Sequence, residues 1–176
     1  NTALGVSALS NNTTGHDNIA IGEAVATANT TGYSNVFIGV DSSSSNTTGY
    51  DNVAIGNNSF TSNVSGFYNN VVGSGAGQGV TGSYNNALGR GALAGNVSGN
   101  GNTAVGDNAL GSLSGGIYGA TAVGAAAGQV LTTGGSYSTF IGDFAGSTVG
   151  DADGYKSLST SDYQAAFGAY AQVQCA

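Results

Sequence analysis

The chain has 176 residues, of which only 2 are Lys or Arg and 9 are Asp or Glu, giving a formal net charge of −7. So few basic side chains exclude an electrostatic surface for nucleic acid or for an anionic membrane. No apolar run approaches the ~20 residues that a membrane-spanning helix needs. Glycine accounts for 32 residues, and Cys175 is the only cysteine, so no intrachain disulfide framework is expected.

A short motif recurs along the chain, with Asn, any residue, a small residue, a bulky apolar residue and Gly in that order, as in 18–22. Successive copies lie about 17 residues apart, a regularity that predicts a tandem array rather than a flexible Gly/Ser linker. A degenerate copy ends at Gly168 after a longer insertion. The predicted corner glycines are Gly5, Gly22, Gly39, Gly56, Gly73, Gly89, Gly106, Gly124 and Gly142.

The residue before each corner glycine is bulky and apolar in every copy, and we interpret it as the inward-facing core. The residue after the glycine includes four charged side chains and is expected to face water, so the glycine between them should bend the chain. The predicted core residues are Leu4, Ile21, Ile38, Ile55, Val72, Leu88, Val105, Val123 and Ile141.

The segments between corners are only about 4–6 residues long, which favours short strands over helices. The expected fold is therefore all-β, a β-solenoid (β-roll or β-helix) of about ten coils with one coil for each repeat. Residues 1–146 form the repeat solenoid, and residues 147–176 add an insertion and a degenerate terminal coil that caps the column or docks on a neighbour. The Asn that opens each motif is expected to stack as an amide ladder.

Runs such as Asn18-Ile19-Ala20-Ile21-Gly22, followed downstream by Thr-Gly-Tyr, resemble the head repeats of trimeric autotransporter adhesins and the related shaft repeats of phage tail fibres. The resemblance covers residue 1 to about residue 146. It implies β-rolls in three-chain bundles that bind host surfaces or matrix. The repeat of this chain is longer than is usual in adhesin heads, and no heptad pattern follows the repeats.

The sequence offers no convergent catalytic or metal-binding set, so we expect no enzyme activity, no cofactor and no metal. The only histidine, His16, lies beside Asp17 in a corner and is interpreted as an exposed turn residue. A second glycine recurs in each repeat, usually preceded by Thr or Ser, and is expected to form a second corner. A row of aromatic residues near this second corner, including Tyr33, Tyr50 and Tyr68, is expected to pack or to contact another subunit rather than bind a ligand.

Two polar columns leave alternatives open. A Thr/Ser column that includes Thr14, Thr31 and Thr48 either caps turns or orders water as an ice-binding surface. The motif Asn-x-Ser/Thr also recurs at one coil position, where it either carries N-linked sugars or simply repeats with the repeat. The candidate glycosylation sites are Asn12, Asn29, Asn46, Asn63 and Asn96.

The sequence therefore predicts a secreted or surface-exposed structural protein, outside the cell or on a cell or virion surface, that builds a fibre and adheres to surfaces. Its expected partners are other copies of itself, in a head-to-tail filament or a trimer, and a host surface or matrix, with no nucleic acid and no membrane insertion. Because residue 1 is already in repeat register, we expect either further residues upstream or stacking on another subunit. A trimeric adhesin head or tail-fibre shaft and an ice-binding solenoid are the alternatives.

Overall fold

The computed structural model describes residues 1–95, 98–112, 115–129, 135–146 and 165–171. In this part of the chain the regular structure is a single parallel sheet of ten three-residue strands, which follow one another in chain order. The strands are β1 Thr2–Leu4, β2 Ile19–Ile21, β3 Val36–Ile38, β4 Val53–Ile55, β5 Asn70–Val72, β6 Asn86–Leu88, β7 Thr103–Val105, β8 Thr121–Val123, β9 Thr139–Ile141 and β10 Ala165–Phe167.

Each strand pairs with its copy in the next coil, without any shift in register. Ala20 lies opposite Phe37, and Phe37 lies opposite Ala54, so equivalent residues form straight columns along the axis. The degenerate copy keeps this register, because Phe167 pairs with Ile141. The predicted β-solenoid with one coil for each repeat is confirmed, and its residue columns define every surface described below. Cys175 and most of the segment 147–176 lie outside the described residues.

The corner glycines adopt a backbone conformation that other residues rarely take. Their φ angles lie between 126° and 142°, and a side chain added at any of them would overlap the backbone of the glycine in the next coil, or for Gly142 that of Gly168. Gly22, for example, would place a Cβ 2.8 Å from the carbonyl oxygen of Gly39. Glycine is therefore required both by the bend and by the close approach of successive coils, as predicted.

The prediction that the residue before each corner glycine forms the core is wrong by one position. The middle residue of each strand from β2 to β10 is buried, whereas the residue before the glycine lies outside; in β6, Ala87 is 2% exposed and Leu88 is 53% exposed. A coil this short has a narrow interior, so a three-residue strand turns its central side chain inward and its two neighbours outward. The outward residues are Leu4, Ile21, Ile38, Ile55, Val72, Leu88, Val105, Val123 and Ile141.

The turn after each corner supplies much of the bulky part of the core, which sequence reasoning missed. Leu9, Phe60, Leu93 and Leu110 are buried there with φ angles of 48–55°. In β9 the large side chain comes instead from the strand, as Phe140, and the corresponding turn position is a glycine.

The side-chain volume inside a coil is therefore balanced, because a large residue on one side of the interior faces a small residue on the other. Phe60 is matched by Ala54 in its strand, and both are fully buried. Phe140 is matched by Gly146, where an added Cβ would overlap the phenyl ring. Close packing in so thin a core permits about one large side chain per coil.

Candidate functional site

Two ladders of asparagine side chains run through the interior and hold successive coils together. In the first ladder, which includes Asn18, Asn35, Asn52 and Asn69, each Nδ2 donates to Oδ1 of the previous asparagine at 3.0–3.2 Å. The same Oδ1 also accepts the backbone N–H of the asparagine above it, at 3.0 Å between Asn52 Oδ1 and Asn69 N. The predicted amide ladder is confirmed, and its buried amides are structural groups.

The second ladder occupies the column that was considered for glycosylation. Nδ2 of Asn29, Asn46 and Asn63 donates to Oδ1 of the previous asparagine at 2.7–2.8 Å, and all three side chains are fully buried. Because an N-linked sugar would occupy this nitrogen and need open space beside it, the folded solenoid argues against glycosylation at these three residues. Asn12, in the first coil, is half-buried, and Asn96 lies outside the described residues.

The outer face of the sheet carries an unbroken apolar column, here called the apolar ridge. It contains the residue before each corner glycine, and the strand register aligns these residues from β1 to β10. At about 4.8 Å per strand, the ridge is about 43 Å long. It consists of Leu4, Ile21, Ile38, Ile55, Val72, Leu88, Val105, Val123, Ile141 and Phe167.

A second outward column, two residues before the ridge, changes character along the axis. It is apolar at Ile19, Val36 and Val53, and all three face outward. It then becomes amide at Asn70 and Asn86, which are exposed and hydrogen-bonded to each other at 3.0 Å. The outer surface is therefore continuously apolar along the ridge but not along this second column.

The hydroxyl column lies at the second corner. Thr14, Thr31 and Thr48 are exposed. The preceding threonines, Thr30 among them, are held by a bond from Oγ1 to a carbonyl oxygen of the next coil, at 3.2 Å for the bond to Thr47. Exposed hydroxyls therefore recur at the coil spacing beside threonines whose own hydroxyls are already bonded.

Aromatic rings next to this corner stack along the axis. His16, Tyr33, Tyr50 and Phe67 have ring centroids 4.9–5.2 Å apart and planes within 14° of parallel. Desolvation by its neighbours raises the pKa of the Tyr50 phenol, and the nearby Tyr33 phenol adds to the shift. The expectation that these aromatic residues pack is confirmed for this stack, because its rings cover one another.

Tyr68 and Tyr84 lie across the end of this stack. Each meets the Phe67 ring edge-to-face, at 5.6 and 5.3 Å between centroids, and their own centroids are 5.5 Å apart. They are 48% and 53% exposed. Within this aromatic cluster, these two rings leave a broad surface open to solvent.

The ion pairs among the described residues lie at the surface. His16 Nδ1 lies 2.9 Å from Oδ2 of Asp17 at an exposed corner, and no group of three or more His, Cys, Asp or Glu side chains comes together in the described part of the chain. The exposed Arg90 and Asp107 form a pair at 3.4 Å in the column after the corner glycines, which faces water as expected. Within the same ranges, no helix is long and apolar enough to cross a membrane.

Comparison with known proteins found no matching family model, curated protein or solved structure.

Proposed function

We propose that the chain is a non-enzymatic structural protein of the cell exterior, a β-solenoid subunit of a fibre that also attaches to surfaces. The apolar ridge is the observation that carries this proposal. A column of Val, Ile and Leu that faces outward along the whole sheet costs solubility, and burying it against other copies of the chain would remove that cost.

The interior of the solenoid suits a mechanically stable rod. Each coil is joined to the next by strand hydrogen bonds. The coils from Asn1 to Asn102 are also joined by the first buried asparagine ladder, so the stability of the stack does not depend on a wide core. The outer surface repeats from coil to coil, which favours contacts with partners that are themselves extended or repetitive.

The test is assembly of the purified protein, measured by light scattering coupled to size exclusion and by negative-stain electron microscopy. We expect rods or fibres of several chains for the native sequence. Ile38→Asp and Ile55→Asp, which place charge on the ridge, should give monomers with an unchanged fold. Val40→Asp is the matched control, because Val40 is also exposed but lies in the column where other coils carry Glu23 and Asp107.

A native protein that stays monomeric at high concentration would contradict the proposal, as would assembly that survives charge on the ridge. Electron microscopy also separates the geometries. Filaments that grow end to end support a head-to-tail fibre, whereas short three-chain rods support a trimeric adhesin head or tail-fibre shaft.

Ice binding is a second candidate, supported by the exposed hydroxyl column of Thr14, Thr31 and Thr48. It predicts thermal hysteresis that disappears in Thr31→Lys and Thr48→Lys. Freezing and melting points that coincide for the native protein would refute this candidate.

A further inference from the structure

One place on the surface departs from the repeat in two neighbouring columns at once. In the column two residues after the second-corner glycine, most coils carry Asp, Ser or Gly, but β5 and β6 are preceded there by Tyr68 and Tyr84. In the second outward column of the sheet, two residues before the apolar ridge, these same two strands carry Asn70 and Asn86 where β2 to β4 carry Ile or Val. All four side chains are exposed.

The two tyrosines occupy a strained backbone position. Their φ angles are 55° and 62°, in the left-handed region that favours glycine. The whole column shares this conformation, which Asp51 adopts with a φ of 52° and Gly101 with a φ of 70°. A tyrosine there costs folding free energy that a glycine avoids. Their edge-to-face contacts with Phe67 cover only part of the two side chains, because each leaves about half of its surface in solvent.

The four residues form a compact surface, here called the Tyr–Asn platform. The Tyr68 and Tyr84 ring centroids are 5.5 Å apart, and Asn70 Nδ2 lies 3.0 Å from Asn86 Oδ1. Each asparagine follows its tyrosine by two residues, so the Cα atoms of each pair are separated by at most about 7 Å. Two rings and two amides therefore lie within the span of about two sugar rings.

We infer that the Tyr–Asn platform binds a neutral carbohydrate chain. Aromatic faces pack against the apolar C–H face of a pyranose, and amides donate to and accept from its hydroxyl groups. Asp51, which occupies the coil before Tyr68 in the same column, adds a hydroxyl acceptor and repels acidic sugars, as does the net charge of −7. Neutral carbohydrate would be the ligand of the proposed adhesive role, so this inference rests on the proposed function.

The test is titration of the full chain with tetrasaccharides, followed by calorimetry and by NMR saturation transfer. The neutral probes are cellotetraose, maltotetraose and chitotetraose, and the acidic probe is a hyaluronan tetrasaccharide. We expect at least one neutral probe to bind with a dissociation constant of about 1 mM or lower, and the acidic probe to bind at least tenfold more weakly.

The variants are taken from the repeat itself, so that folding is preserved. Tyr68→Gly and Tyr84→Gly install the residue that other coils have at this position, and Asn70→Thr installs the residue found at Thr103. Each should weaken binding at least tenfold without lowering the melting temperature. Tyr137→Gly is the matched control, since Tyr137 has the same column position and is 57% exposed, but its strand carries Thr139 instead of Asn; it should leave binding unchanged.

The inference is overturned if no neutral probe binds, if the variants bind as well as the native chain, or if Tyr137→Gly weakens binding equally. It is also overturned if Tyr68→Gly and Tyr84→Gly change the size of the assembly and not the binding, since the platform would then be a subunit contact. Fibres that assemble normally but bind no neutral probe remove this inference alone, whereas chains that do not assemble remove the proposed fibre.

Discussion

Replacing Asn52 by Ala tests the buried ladder at a coil within the stack. Asn52 Nδ2 donates to Asn35 Oδ1 at 3.1 Å and to the Gly66 carbonyl oxygen at 2.8 Å. Its Oδ1 accepts from the backbone N and from Nδ2 of Asn69, both at 3.0 Å. The substitution therefore removes four hydrogen bonds inside a fully buried site.

The expected loss in the free energy of unfolding depends on the buried polar groups that lose their partners. The Gly66 carbonyl oxygen and the Asn69 backbone N–H lose these partners while remaining buried, and the methyl group of alanine offers no polar atom to replace them. At about 1 kcal/mol for each net hydrogen bond, with more for donors and acceptors left buried, the expected loss is about 3–6 kcal/mol. Such a loss approaches the whole stability of many domains.

The assay is urea unfolding at room temperature followed by circular dichroism. Asn70→Ala is the control, because Asn70 is also an asparagine but is exposed on the sheet face, and it should change the free energy of unfolding by less than about 0.5 kcal/mol. A loss below about 1 kcal/mol for Asn52→Ala, or equal losses for the two variants, would refute the reasoning that the ladder holds the coils together.

Three further outcomes are expected. Ser43→Ala should stabilise the fold by about 1 kcal/mol, since the buried Ser43 hydroxyl has no hydrogen-bond partner among the described residues. Ser42→Ala should destabilise the fold, because the Ser42 hydroxyl donates to a carbonyl oxygen at 3.1 Å. Thermal melts of both variants check the two predictions. Gly146→Ala should lower the melting temperature far more than Gly75→Ala, because their φ angles of 64° and 65° are matched while an added Cβ meets a phenyl ring at the first and nothing within 4 Å at the second. The pKa of Tyr50 is raised, so the folded state disfavours its phenolate. The stability contributed by the neutral phenol is therefore complete below the ordinary pKa of 10.0 and is lost as pH rises through the folded value. Absorbance titration should show one fewer late-ionising phenol in Tyr50→Phe, and an unchanged titration curve would contradict this.

The periodicity of the sequence was sufficient to predict the solenoid, its corners and its first amide ladder. Regular spacing places equivalent residues in columns along the axis. In a stack of coils, a column of Asn is typical of an amide ladder and a column of Gly is typical of a corner. The recurrence of Asn29 and Asn46 at that same spacing was the signal that could have identified the second ladder, but a glycosylation motif is built from the same residue types.

The direction of the side chains was not predictable from hydrophobicity alone. Ala20 faces inward and Ile21 faces outward because the interior is narrow, and nothing in a hydrophobic pattern records the width of a coil. The Tyr–Asn platform was also missed, although Tyr68 and Asn70 differ visibly from their copies in neighbouring repeats. Departures from a repeat, read column by column, would have revealed it.

A crystal structure of the chain tests the central claim most directly, that each repeat makes one coil lying on the coil before it. We expect Asn18, Asn35 and Asn52 to lie in a straight line, with successive Cα atoms about 4.8 Å apart and their side-chain amides bonded to one another. Helices in these repeats, or asparagines that point into solvent, would contradict it.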